Sequence, residues 1–137
     1  MMQTVIAAIK TAFDTEYGAT GTSHYYGPIP DEVGLGTDVV SWEILNTDDA
    51  QYDSCSIYQI YNVQVKAYST SMANALDLSR RGWWKIENDG ISPGSGSYVK
   101  VDKGSELLEQ DPDKAENGQA IWASTVLFEI EYYRSRP

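Results

Sequence analysis

Three stretches of this chain alternate apolar and polar residues with a period of two. Ile57 to Tyr68 reads I-Y-Q-I-Y-N-V-Q-V-K-A-Y, with Tyr61, Val63, Val65 and Ala67 on one face and Gln64 and Lys66 on the other. Trp122 to Tyr133 reads W-A-S-T-V-L-F-E-I-E-Y-Y, placing Trp122, Val126, Phe128, Ile130 and Tyr132 on one face and Glu129 and Glu131 away from it. Asp38 to Asn46 puts Val40, Trp42 and Ile44 together. This period belongs to half-buried antiparallel strands, and their apolar face needs a cover.

Two segments with helical spacing supply it. Val5, Ile6, Ile9, Ala12 and Phe13 form one stripe and predict a helix over Thr4 to Phe13. Gly18 suits a left-handed stop after it. Ser71 to Trp84 predicts a second helix, with Ser71 as N-cap and Thr70 as its rival. Its expected stripe against the sheet is Met72, Leu76, Ser79 and Trp83, with Ala75 beside them. Gly82 weakens the last turn, so fraying before Trp84 is expected.

Between these elements, His24 to Tyr26 predicts a short strand ended by Gly27-Pro28-Ile29-Pro30, where two prolines forbid ladder bonding. Asp31 to Thr37 reads as a glycine-containing loop, and the polar, acidic Thr47 to Ser56 as another. Asn88 to Ser97 has the composition of a flexible loop. Tyr98 to Asp102 predicts a short strand, and Glu106 to Gly118 an irregular excursion before the last strand. The expected fold is α+β: a mostly antiparallel sheet of four to five strands with two helices packed on one face. A length of 137 residues fits one domain, 1–137, with a sizeable core.

Composition narrows the chemistry. Ten basic and twenty acidic residues give a net charge of −10, which favours solubility and repels nucleic acid. Arg80, Arg81 and Lys85 form the one basic cluster, and a solvated helix end accounts for it. A lone cysteine, Cys55, excludes an intramolecular disulfide and any multi-cysteine zinc site. No basic region precedes a long apolar stretch at the N-terminus, so no signal peptide is expected. No run approaches the roughly 20 apolar residues of a membrane span.

Nothing resembles a catalytic motif. His24 is the sole histidine and lacks a G-x-S-x-G partner. Asp48, Asp49 and Asp53 miss the calcium-loop spacing, and Glu106, Glu109, Asp111 and Asp113 define no geometry. Gly94-Ser95-Gly96-Ser97 lacks the lysine of a phosphate-binding loop. An enzyme is therefore not expected, and no cofactor or metal is assigned.

Aromatic residues point instead to contact surfaces. Trp83 and Trp84 diverge by about 100° on a helix, so one faces the core and the other projects. Trp84 then meets either the following loop or a partner subunit. Nine of the ten tyrosines, all but Tyr17, exceed what a core of this size needs, so several belong on sheet surfaces or loops. The candidate interface residues are Tyr52, Asp53, Trp84, Asn88, Asp89, Ile91 and Tyr98, in or beside the two polar loops.

The order of segments resembles a known family. A leading amphipathic helix is followed by V-V-S-W-E-I-L, by Y-N-V-Q-V-K-A-Y-S-T running straight into an alanine- and leucine-containing helix, by a short strand leading to L-L-E-Q-D-P-D, and by A-S-T-V-L-F-E-I-E-Y-Y-R. From about Thr4 to Arg136 this is similar to the tail terminator and tail-completion (head–tail neck) proteins of long-tailed bacteriophages and prophages. The resemblance implies a structural virion protein made in the host cytoplasm. Its partners would be further copies of itself in a hexameric ring, the tail tube protein and the head-side connector, with DNA passing through unbound. The alternative from the residues is a small-molecule-binding α+β module, probably dimeric, with Trp42, Trp122 and tyrosines lining a pocket between sheet and helices. A hydrolase using acidic residues is a third reading.

Overall fold

The structure, a computed structural model, describes residues 2–53, 56–91, 97–116 and 119–135. Helix α1 spans Met2–Gly18 and strand β1 Ser23–Tyr26. A short 3-10 turn at Leu35–Thr37 precedes β2, Val39–Asp53, and β3, Ser56–Ser69. Helix α2 spans Met72–Asp89, followed by β4, Ser97–Glu116, and β5, Gln119–Ser135. The strands form one five-stranded sheet in the order β1-β2-β3-β5-β4. All neighbours are antiparallel except β1 and β2, which run parallel. The α+β class expected from the alternation is the one observed.

Register explains the core. Trp42, Val65 and Val126 lie in one row across β2, β3 and β5, and Ile44, Val63 and Phe128 in the next. These six side chains are buried and join Val5, Ile9, Phe13 and Tyr17 of α1 and Leu78 and Ile86 of α2 in one cluster. Both helices therefore cover the same face of the sheet. None of the described helices is long and apolar enough to cross a membrane.

Part of the opposite face has its own cover. Val39, Tyr68 and Ala123 form a row on that side, and Val39 and Ala123 are buried. The proline segment leaving β1 lies beside Ser41 and Tyr68 through Pro28, Ile29, Pro30, Val33 and Leu35. The 3-10 turn packs against β3 and β4. This connection lets β1 and β2 run parallel, since a parallel pair needs a crossover. It ends on Asp38 with φ 60°, a left-handed residue.

Several elements differ from the sequence reading. Helix α1 runs on through Tyr17, which continues the stripe at a step of four from Phe13. It ends at Gly18, but the left-handed turn falls at Gly21, φ 70°. Thr47 to Asp53 is not loop but strand, paired with β3 from Tyr61 to Ser56. Polar residues on both faces hid it, because alternation is visible only where one face is apolar. The short strand from Tyr98 is likewise a 20-residue β4 that includes most of the supposed irregular excursion. Asn88 and Asp89 belong to α2 rather than to a loop, while residues 92–96, Cys55 and Gly118 lie outside the described residues.

The face of α2 also turns out rotated. Ser71 caps it, its hydroxyl accepting from the Asn74 amide at 3.3 Å. The fully inward residues are Ala75, Ser79, Gly82 and Ile86, with Leu78. Met72 is 49% exposed, and Leu76 and Trp83 are half-buried. Small residues face inward because α1 and the sheet come close. Ser79 Oγ lies 2.8 Å from Ser124 Oγ of β5. Tyr17 Oη donates to the Leu78 carbonyl at 2.7 Å. A Cβ on Gly82 would stand 2.8 Å from Tyr17 Oη and 3.1 Å from the Phe13 ring. Gly82 is thus the close-approach point of the two helices, and α2 continues past it to Asp89.

Gly82→Ala gains about 1 kcal/mol of helix propensity but overpacks a contact whose hydroxyl is tethered. The expected net result is a loss of about 1–2 kcal/mol in denaturant unfolding. The same change in a Tyr17→Phe background should cost less, because the nearest atom is gone.

Candidate assembly surface

The strands outrun the helices. Eighteen helical residues span about 27 Å, whereas the fourteen residues of β3 span about 46 Å. The sheet must therefore project past its cover. One projecting end carries the tip of the β2–β3 hairpin and the start of β4. There Tyr98 pairs with Tyr132, Tyr132 with Gln59, and Gln59 with Asp49, in one row.

The expected interface residues fall into three groups. Tyr52 and Asp53 at the end of β2 and Tyr98 at the start of β4 lie at this same end of the sheet, but on opposite edges with β3 and β5 between them, and all are on strand backbone rather than on loops. Asn88 and Asp89 sit in the last turn of α2, where Asp89 accepts from Lys85 at 2.6 Å. The helix stops at Gly90, φ 70°, whose amide bonds the Ile86 carbonyl at 2.8 Å. Ile91 packs partly buried against the core and is anchor more than surface. Trp84 is 41% exposed on the outside of α2, its ring 6.1 Å from that of the half-buried Trp83.

The face away from the helices was missed by the sequence reading. A bulge at Leu45 turns that side chain out, 49% exposed. Leu45 and Leu127 border an open groove with Asn46, Asn62 and Ser105. Leu107, 57% exposed, lies on the same face one residue pair along, opposite Thr125. A second bulge, at residues 104–105 of β4, brings Gly104 so close that a Cβ would meet the Leu127 carbonyl at 3.1 Å. Alternation beside the inward Ile44, Val126 and Phe128 was the signal that could have placed Leu45 and Leu127 on this face, whereas Leu107 lay in a segment read as irregular.

The sole histidine is structural. His24 is nearly buried between α1, β1 and β2. Trp42 Nε1 donates to its Nδ1 at 3.1 Å, so the proton sits on Nε2, which donates to Asp14 at 2.7 Å. Phe13 and Tyr17 pack around the ring. Asp14 also accepts from Lys10 at 2.9 Å. These hydrogen bonds, first from Lys10 and then from His24, hold the Asp14 carboxyl below its ordinary value. Across the helix–sheet boundary, Arg80 grips Glu106 with two bonds of 2.7 and 3.1 Å, which raises the guanidinium further. Burial pushes the Tyr17 hydroxyl far up, so it stays a donor.

Among the described residues no group of three or more His, Cys, Asp or Glu side chains could hold a metal ion. Trp42 does not line a pocket between sheet and helices. It is 1% exposed, edge-on to Phe13 at 5.1 Å and to Tyr26 at 4.9 Å. What the geometry offers is surface: an apolar strip, a projecting sheet end and long strand edges.

No protein-family model and no curated protein matches the chain. Solved structures do. A chain of the virion of a native gene transfer agent particle superposes with a TM-score of 0.63 at 14% identity, over 93% of this chain and 92% of that one. A chain of an extracellular contractile injection system, the PVC sheath/tube terminator in its extended state, gives 0.45 at 10% identity, over 96% of this chain and 57% of that one. The first likeness spans both chains almost end to end and shows a shared fold.

The Asp14 cluster predicts an acid-dependent loss of stability. A lowered folded-state value contributes above the ordinary carboxyl value of 3.8 and is lost as pH falls through the folded value. Asp14 is largely exposed, so the effect is small. Melting curves from pH 6 to pH 3 should fall less steeply for Asp14→Asn than for the parent.

Proposed function

We propose that this chain is a structural virion component of a long-tailed bacteriophage, prophage or related particle. In this reading, copies form a ring, six in number, that caps the tail tube and joins it to the head-side connector. The observation that carries the reading is the end-to-end fold likeness to a chain of a gene transfer agent virion. It agrees with the segment order that resembles tail terminators. The role calls for surfaces and no reaction, which fits a chain whose histidine and buried hydroxyls are spent on packing. A ring around passing DNA must not hold it, and a protein with a net charge of −10 does not attract phosphate.

The test is to add gold-labelled protein to purified tail tubes and image them. Label at one end of each tube, with tube growth stopped there, is the expected result. Label along the tube walls, or none at all, would contradict the capping role.

A further inference from the structure

We infer that copies of this chain join head to tail by antiparallel pairing of two free strand edges, residues 46–51 of β2 with residues 100–103 of β4 in the next copy. The inference rests on the ring reading and specifies how that ring would close.

The sheet has two unequal edges. β1 pairs with β2 only from Val39 to Trp42, so β2 runs on without a neighbour on that side among the described residues. At the other edge, β4 has no outer neighbour among the described residues. Unpaired backbone amides and carbonyls in such lengths are a template for another strand. Bulges divide both edges. The regular lengths left at the projecting end are Asn46 to Gln51 on β2 and Lys100 to Lys103 on β4.

These two lengths overlap in height over three rows, Asn46 to Asp48 being level with Asp102 to Lys100. Lys100 pairs with Glu131, Glu131 with Ile60, and Ile60 with Asp48, so Lys100 and Asp48 end the same row on opposite edges. Three successive antiparallel pairings also make β4 run opposite to β2. A second copy in the same orientation, set beside the first, therefore presents an antiparallel edge at the right height. Repeating that step by rotation about an axis along the strands closes a ring, the heterologous route to cyclic assembly.

Charge selects this pairing over the two-fold alternatives. The β2 length and its tip carry Asp48, Asp49 and Asp53 with no base, whereas the β4 length carries Lys100 and Lys103 around Asp102. Joining β2 to β2 would set like charges opposite one another, and cross-strand like charges are unfavourable. Joining β4 to β4 would leave both acidic edges open. Joining β4 to β2 brings opposite charges together and pairs both free lengths at the projecting end.

The experiment measures mass by light scattering across concentration, with negative-stain imaging, for the parent and three variants. Lys100→Glu/Lys103→Glu makes both edges acidic, and Asp48→Lys/Asp49→Lys makes both basic. Each should need about tenfold more protein to assemble. The variant with all four changes restores complementarity with signs exchanged and should assemble like the parent. An equimolar mixture of the two double variants should assemble too. Parent rings that tolerate both reversals would overturn the edge pairing and leave the ring reading standing. A parent that forms no closed assembly, alone or on tubes, would overturn both. Should a reversed variant lose its far-ultraviolet spectrum, a second measurement decides. Asp48→Cys/Lys100→Cys in a Cys55→Ser background should give disulfide-linked ladders of copies on mild oxidation, and rings without ladders would overturn the pairing.

Discussion

Everything in this domain depends on two helices sharing one face of a sheet only a few strands wide. They fit because α2 turns its small side inward. Ala75, Ser79, Gly82 and Ile86 follow one another at steps of four, three and four, and Gly82 gives up its side chain where Phe13 and Tyr17 arrive. The Tyr17 hydroxyl then closes on the Leu78 carbonyl, so the contact is directional as well as tight. Interiors packed to this density do not slide. The sheet is held rigidly at its covered middle, which leaves its ends and edges free to serve as contacts.

That division of labour explains why the polar groups look as they do. His24 spends both ring nitrogens, one on Trp42 and one on Asp14, tying α1 to the sheet. Ser79 and Ser124 bond across the helix–sheet boundary, and Arg80 and Glu106 bind α2 to β4. Groups that could carry chemistry are used as joints. The exposed leucines Leu45 and Leu107 lie outside the buried core, and the strands run on past the helices. They are the features that an assembling protein would use.

Much of the fold was legible in the residues. Val40, Trp42 and Ile44, then Tyr61, Val63, Val65 and Ala67, then Val126, Phe128 and Ile130 announced their shared face by alternation and are buried, whereas Trp122, expected on the same face, is only half-buried. Ser71 announced the start of α2. What was not legible has physical causes. Polar strands such as Thr47 to Asp53 have no apolar face to reveal a period, so they read as loops. The inward side of α2 was misjudged because large residues were assumed to face the core, when a close helix crossing selects small ones. Strand order, register and bulges depend on partners distant in sequence, so the pairing of Tyr98 with Tyr132, at the same end of the sheet as the end of β2, could not be read. Among the candidate interface residues, Trp84 is 41% exposed on the outside of α2, whereas Ile91 packs partly buried against the core.

The central claim is that a rigid, helix-backed sheet assembles through what lies beyond its cover. The most direct measurement is an electron cryo-microscopy reconstruction of the protein bound at the end of a tail tube, resolved well enough to trace strands. The account predicts a closed ring with the helices on one side and the sheet running from each copy into the next. A ring joined through the helices, with both sheet edges facing solvent, would contradict it.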